Sequence, residues 1–299
     1  MRRFPDFIII GAQKGGTTSL WRWLCDHPQC FLPEFKEPNY FTRFEPWIEL
    51  LASDEPIRDT DAYLNLFREA APSQILGEAS PSYLFEEGTA QRIYEKVPSC
   101  RFIVSLRDPV SRAYSEYLMY VAAGMETRTF SEAVQDAAFG KKRTRWSDIP
   151  LYIELGKYGT QLSRYYDLFP KEQIRVITVD QIRSMPVETM EGLSNFLDIS
   201  PQFWNGYDYP RENRGGVPRN ELMRRLLASR GVRHVSTRLF KKHFRGFVIE
   251  KIMSRPPRAD DISMQDREVI WSFCEDEIRL AESLIGRHFP ELWKTYPEA

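Results

Sequence analysis

Lys14, Gly15, Gly16, Thr17, Thr18 and Ser19 put a cation, two glycines and three hydroxyls into six consecutive residues. Phosphate recognition needs such a set. Glycines let backbone N–H groups converge on phosphate oxygens, a helix N-terminus adds partial positive charge, and lysine and hydroxyls complete the shell. The apolar run Phe7, Ile8, Ile9, Ile10 stops at Gly11 just before this stretch, and Thr17 opens a helical pattern. The order is therefore strand, loop, helix, which predicts a phosphorylated ligand. It is not the order of an ATPase loop, GxxxxGK[ST], in which lysine directly precedes the helical hydroxyl. Here Lys14 comes two glycines early.

A second group lies in Arg101 to Tyr117, RFIVSLRDPVSRAYSEY. A buried strand ends at Arg107, Asp108 suits a helix N-cap and Pro109 the first helical position. Ser115 then falls about two turns along, and arginine supplies a planar fork for an anion. Three glutamates are candidates for proton transfer: Glu37 in FKEPNYF, Glu34 just before it, and Glu78 in GEASPSY. Glu37 could instead pair with Lys36 or cap the Pro38 turn. The strand at 174–179 runs into Asp180, as a metal-binding strand of a P-loop kinase would, so a nucleotide kinase is an alternative, as is a nucleotide-binding module without catalysis.

Strands are predicted at 7–10, 74–79 and 174–179, with a further strand and then a helix over 101–123. Other helices are predicted at 17–27 (ended by Pro28) and near 157–168, 187–197 and 264–286. Their alternation implies a central parallel sheet with helices on both faces, an α/β P-loop-like domain whose ligand sits beyond the carboxyl ends of the strands. The reading is one domain over 1–299, with 126–150 and 219–262 as elaborations. The formal charge of −1 gives no general attraction to nucleic acid. No apolar run approaches the roughly 20 residues of a membrane span. With no room for a leader before the first strand, a cytoplasmic location is expected. Cys25, Cys30, Cys100 and Cys274 have no metal-ligand spacing, so no metal is expected. Residues 219–258 carry twelve arginines and lysines against Glu221 and Glu250. Apolar residues interleave with them, a composition suited to an acidic acceptor or to peripheral contact with an anionic membrane.

These segments in this order, together with GKYGTQLSRYYDLFP at 156–170, resemble the sulfotransferases that use 3′-phosphoadenosine 5′-phosphosulfate (PAPS). They are most similar to the glycan-modifying branch that includes the heparan sulfate enzymes. The resemblance implies sulfuryl transfer to a hydroxyl or amine, on a carbohydrate or glycolipid acceptor. It implies Lys14 beside the bridging oxygen of the donor, backbone N–H groups of Gly15 to Thr18 on its 5′-phosphate with Ser19 close by, and Arg107 with Ser115 on its 3′-phosphate. Glu37, ahead of the Tyr40–Phe41 pair, is implied as the base. Arg214, Gly215 and Gly216 resemble the basic glycine loop that closes over the nucleotide. In this family the strand matching 174–179 commonly ends in an acidic residue, as at Asp180, with no metal required.

Overall fold

The computed structural model describes residues 3–43, 56–123, 125–140, 150–210, 217–218, 253–255 and 261–289. Five parallel strands form its centre: β1 (Phe7–Gly11), β2 (Cys30–Phe31), β3 (Ile75–Ala79), β4 (Arg101–Leu106) and β5 (Ile174–Thr178), in the spatial order β2-β3-β1-β4-β5. Every residue of β1 is buried, as a strand covered on both faces requires. Its side chains alternate. Ile8 and Ile10 pack with Phe102 and Val104 on one face, Phe7 and Ile9 with Ile103 and Ile177 on the other. Gly77 in β3 makes room for the Phe7 ring, since a Cβ there would lie 2.2 Å from Phe7 Cζ.

Each face has its helices. Leu20, Trp23 and Leu24 of α1 (Thr17–Asp26) cover the Phe7 face, with Met190, Leu193 and Leu197 of the helix Pro186–Leu197. The Ile8 face is covered by α2 (Thr60–Asn65), α3 (Ser82–Phe85), α4 (Thr89–Lys96), α7 (Tyr158–Tyr166) and α10 (Met264–Ile285). α5 (Pro109–Ala122) and α6 (Phe130–Phe139) build a further apolar cluster with the 151–155 segment and α10. Helix ends follow their capping chemistry. Asp108 caps α5 with Pro109 at its first position, Thr129 and Glu132 form a capping box on α6, and Gly286 in the left-handed region closes α10. Among the described residues the remaining α-helices are α8 (Val179–Ser184) and α9 (Pro186–Leu197), and Val217–Pro218 pairs antiparallel with Met253–Arg255.

At the amino edge of the sheet, one device occurs twice. The Gln74 amide, one residue before β3, donates to the carbonyls of Pro28 and Cys30, both at 3.0 Å. The Gln173 amide, one residue before β5, donates to those of Pro98 (3.0 Å) and Cys100 (2.9 Å). Each glutamine thus locks the turn that feeds the adjacent strand. The α/β parallel sheet with helices on both faces is as expected from the sequence. β2, two residues long, was not expected. The strand expected at 174–179 ends at Thr178, whose hydroxyl accepts from Gln181 N and caps α8. Asp180 therefore stands exposed on the first turn of a helix rather than at a strand end, which removes the kinase-like placement.

Candidate active site

The chain reverses from β1 into α1 over the carboxyl edge of the sheet, against β4. Ala12 N donates to the Ser105 carbonyl at 2.8 Å, and the Ser105 hydroxyl donates to the Gly15 carbonyl. A Cβ on Gly15 would lie 2.2 Å from the Ser105 carbonyl oxygen, so only glycine lets the loop sit this close. Gly16, φ 81°, is the N-cap of α1 and provides no side-chain cap. The Gly15 N–H turns inward to the Ala12 carbonyl at 2.9 Å, a difference from the expectation that it faces the ligand. The N–H groups of Gly16, Thr17 and Thr18 have no acceptor among the described residues. Neither do the hydroxyls of Thr17, Thr18 and Ser19.

Lys14 holds the left-handed conformation, φ 65°, and its Nζ reaches Met119 Sδ on α5 at 3.6 Å. No carboxylate among the described residues pairs with it. Burial, then the neighbouring charge of Arg107, lowers its pKa from 10.5 to about 8; Glu116 and Glu37 oppose that shift. Ser111, Ser115 and Met119 recur every four residues and, with Ala122, are the half-buried positions of an otherwise buried helix, so the two serines share the stripe whose Met119 meets Lys14. Arg107 follows β4 directly. Its carbonyl accepts from Tyr158 OH at 2.8 Å, while its guanidinium has no ion-pair partner among the described residues. Its pKa falls to about 10, through burial and then the charge of Arg183. Asp108, next to it, is turned to the helix, accepting from Val110 N (3.4 Å) and Ser111 N (2.8 Å).

FKEPNYF and GEASPSY meet at the end of β3. Glu37 N donates to the Ala79 carbonyl at 3.0 Å, Asn39 N to Ser80 Oγ at 3.2 Å, and Ser82 Oγ to Asn39 Oδ1 at 2.6 Å. Asn39 Nδ2 in turn donates to the Glu37 carbonyl at 2.9 Å, holding Glu37 at φ 66°. The Glu37 carboxylate is partly exposed, acts electrostatically on Lys14 and pairs with Lys36, the pairing that the sequence left open. Glu34 is exposed and its charge bears on Cys25 instead. Glu78 is 1% exposed and accepts from Tyr63 OH at 2.8 Å and Ser80 Oγ at 3.0 Å; burial pushes it up to about 7. It holds Ser80, which holds Asn39.

Below the Ser111–Ser115 stripe, Arg112 and Glu116 are fully buried and paired at 2.7 Å. Arg112 also donates to the Tyr152 carbonyl and Leu151 N to Glu116 at 3.3 Å, fixing the 151–152 backbone to α5. The structure therefore brings together Lys14, Gly16, Thr17, Thr18, Arg107 and Glu37, with Ser115 one turn before Met119 on the helix that Lys14 reaches. The expected residues Arg214, Gly215 and Gly216 lie outside the described residues, as does the basic segment 219–258 except for 253–255. Arg183, whose charge bears on Arg107, was not singled out in the sequence, because an exposed arginine on a short polar helix carries no local signal. Among the described residues no cluster of His, Cys, Asp and Glu has the makings of a metal site.

The sequence profile described as "Sulfotransferase family" matches residues 5–205, two-thirds of the chain and every element named above up to the end of α9. The chain belongs to the sulfotransferase family. It is 28% identical over 253 residues to carbohydrate sulfotransferase 15 of Mus musculus, covering 67% of this chain and 45% of that protein. It is 26% identical over 207 residues to heparan sulfate glucosamine 3-O-sulfotransferase 5 of Mus musculus, covering 68% of this chain and 56% of the other. The chain thus spans about half the length of these relatives. Among solved structures, the sulfotransferase from Alicyclobacillus acidocaldarius superposes with a TM-score of 0.70 at 27% identity, covering 98% of this chain and 99% of that one.

Proposed function

We propose that this sulfotransferase moves the sulfuryl group of PAPS to a hydroxyl or amine, with a carbohydrate or glycoconjugate as acceptor. The observation that carries the reading is that Lys14 and Arg107 have no carboxylate partner among the described residues, beside three open N–H groups and the open hydroxyls of Thr17, Thr18, Ser19 and Ser115. Such a set fits a ligand with phosphate at two places. The 5′-phosphate suits the N–H groups of Gly16, Thr17 and Thr18, and the 3′-phosphate suits Arg107 with Ser115. When bound, PAPS supplies a sulfuryl group already attached to a phosphate leaving group.

The chain's own residues then divide the work. Lys14, half-buried in the loop, neutralises the charge that grows on the departing phosphate oxygen; positioning and electrostatics of this kind carry most of the rate. Glu37 accepts the proton of the attacking hydroxyl or amine, a contribution typically about 10² to 10⁴-fold. Its ion pair with Lys36 is half-exposed and therefore weak, so an acceptor can displace it. Glu78, Ser80 and Asn39 act as positioning residues for Glu37. The glycan acceptor is supported by the names of the relatives, two of which act on carbohydrate or heparan sulfate. A cytoplasmic location and a role for 219–258 at the acceptor or at an anionic membrane belong to the same proposal.

Calorimetry with adenosine 3′,5′-bisphosphate and with ATP, each with and without magnesium, tests the donor. Much tighter, magnesium-independent binding of the bisphosphate is the expected result. Equal affinities, or a strict magnesium requirement, would overturn it. Transfer of labelled sulfate from PAPS to a panel of glycans tests the acceptor.

A further inference from the structure

The open positive charge at the carboxyl edge extends beyond Arg107. Leu106 of β4 and Thr178 of β5 are register partners, so Arg107 and Val179 leave the sheet side by side. α8 turns there onto the phosphate loop: a Cβ on Gly16 would lie 3.5 Å from Ile182 Cδ1 and 3.6 Å from Val179 Cγ2. Arg183, the next residue, is exposed and has no carboxylate partner among the described residues. Of the charges around Arg107, it is the one that acts most strongly. Asp108, next in the chain to Arg107, partly offsets that charge while its oxygens accept from the amides of α5. Two guanidinium groups that bear on each other and have no ion-pair partner among the described residues repel, and a dianion entering beside them relieves that repulsion.

We infer that Arg183 and Arg107 together clamp the 3′-phosphate of the donor, Arg183 from the β5 side of the cleft and Ser115 from the α5 side. The inference rests on the donor reading above and adds to it a residue and a basis for selectivity. A phosphate monoester carries about −1.5 to −2 charge and three acceptor oxygens at neutral pH. One arginine fork engages two oxygens, and a second cation is needed for the rest of the charge. A nucleotide without the 3′-phosphate leaves both arginines unneutralised, so the pair selects for the bisphosphate and against adenosine nucleotides phosphorylated only at the 5′ position.

The experiment measures Kd by calorimetry for two probes, adenosine 3′,5′-bisphosphate and adenosine 5′-monophosphate, on wild type, Arg183→Gln, Arg183→Lys, Arg107→Gln and the double glutamine variant. Arg183→Gln is expected to weaken the bisphosphate about tenfold and the monophosphate less than twofold, since a charge-assisted contact is lost only with the former. Arg183→Lys should restore part of that loss. The double variant should depart from the product of the single effects, as coupled neighbours do. Unliganded Arg183→Gln should melt no lower than wild type at low salt, because repulsion with Arg107 is relieved; a structural role would lower it. If wild type prefers the bisphosphate and Arg183→Gln keeps that preference in full, the clamp is wrong while the donor reading stands. If wild type shows no preference, both fall.

Discussion

Lys14 and Glu37 share one backbone conformation: φ is 65° at the first and 66° at the second, the left-handed region that non-glycine residues rarely adopt. The two side chains assigned to leaving group and acceptor are thus both presented by strained positions, each locked by hydrogen bonds of its neighbours. Strain of this kind costs on the order of 1 kcal/mol and persists only when the surroundings fix it. Lys14→Gly is therefore expected to be more stable than Lys14→Ala by about 1 kcal/mol in urea denaturation, although both lose turnover. Equal stabilities would show that φ at residue 14 relaxes freely.

Lys14 also predicts a pH dependence. Its folded pKa of about 8 lies below the ordinary 10.5, so the native state binds fewer protons than the unfolded chain between those values. Stability should accordingly rise with pH over about 8 to 10.5, and the burial penalty should be fully present below 8. Lys14→Met is expected to melt higher than wild type at pH 7, with the advantage shrinking toward pH 10. Anion binding favours the charged lysine. Nucleotide affinity should then hold below pH 8 and fall above it, and calorimetry in buffers of different ionisation enthalpy near pH 8.5 should detect proton uptake on binding.

Glu37 and Glu78 should separate by kinetics and stability. Glu37→Gln keeps shape but cannot accept a proton, so kcat should fall by about 10² or more with donor Kd unchanged. Glu78 is buried with its pKa raised from 4.5 to about 7, so the native state holds the extra proton in that window and wild-type stability should decline as pH rises through it. Glu78→Gln should flatten that decline, which is worth at most about 3 kcal/mol. Near wild-type turnover in Glu37→Gln, with loss in Glu34→Gln, would move the base to Glu34.

Gly15→Ala would push a methyl group into the Ser105 carbonyl, 2.2 Å away in the present geometry. The loop must then leave β4. Expected are a loss of stability of about 1–3 kcal/mol and loss of nucleotide binding together. Gly16→Ala, with space around its Cβ, should cost only the left-handed strain.

The sheet was legible in the sequence where strands carry uninterrupted apolar runs, as in Phe7–Ile10 and Phe102–Val104, and where helices carry both a cap and a period. β2 was not, because two residues present no pattern. The phosphate loop could be read from residue types, but the inward turn of the Gly15 N–H depends on how the loop docks on Ser105, a contact ninety residues away in the chain. Arg112 and Glu116 look like an exposed i,i+4 pair and are fully buried, since α5 is packed on nearly every side. Arg183 matters through its neighbour across two strands, and such pairings are invisible to local spacing.

Gln74 and Gln173 lock the turns at the amino edge of the sheet, whereas every residue assigned to chemistry lies at the carboxyl edge or on the segments that leave it. Thermostability and turnover are therefore separable engineering targets in this enzyme. Stabilising substitutions commonly cost activity where they rigidify a site, but substitutions at Ser73, Ser99, Lys171 and Glu172, which flank the glutamine locks and leave them intact, would act a full strand length from the nucleotide. A directed-evolution library confined to those four positions should yield variants that tolerate heat without altering the donor's Kd.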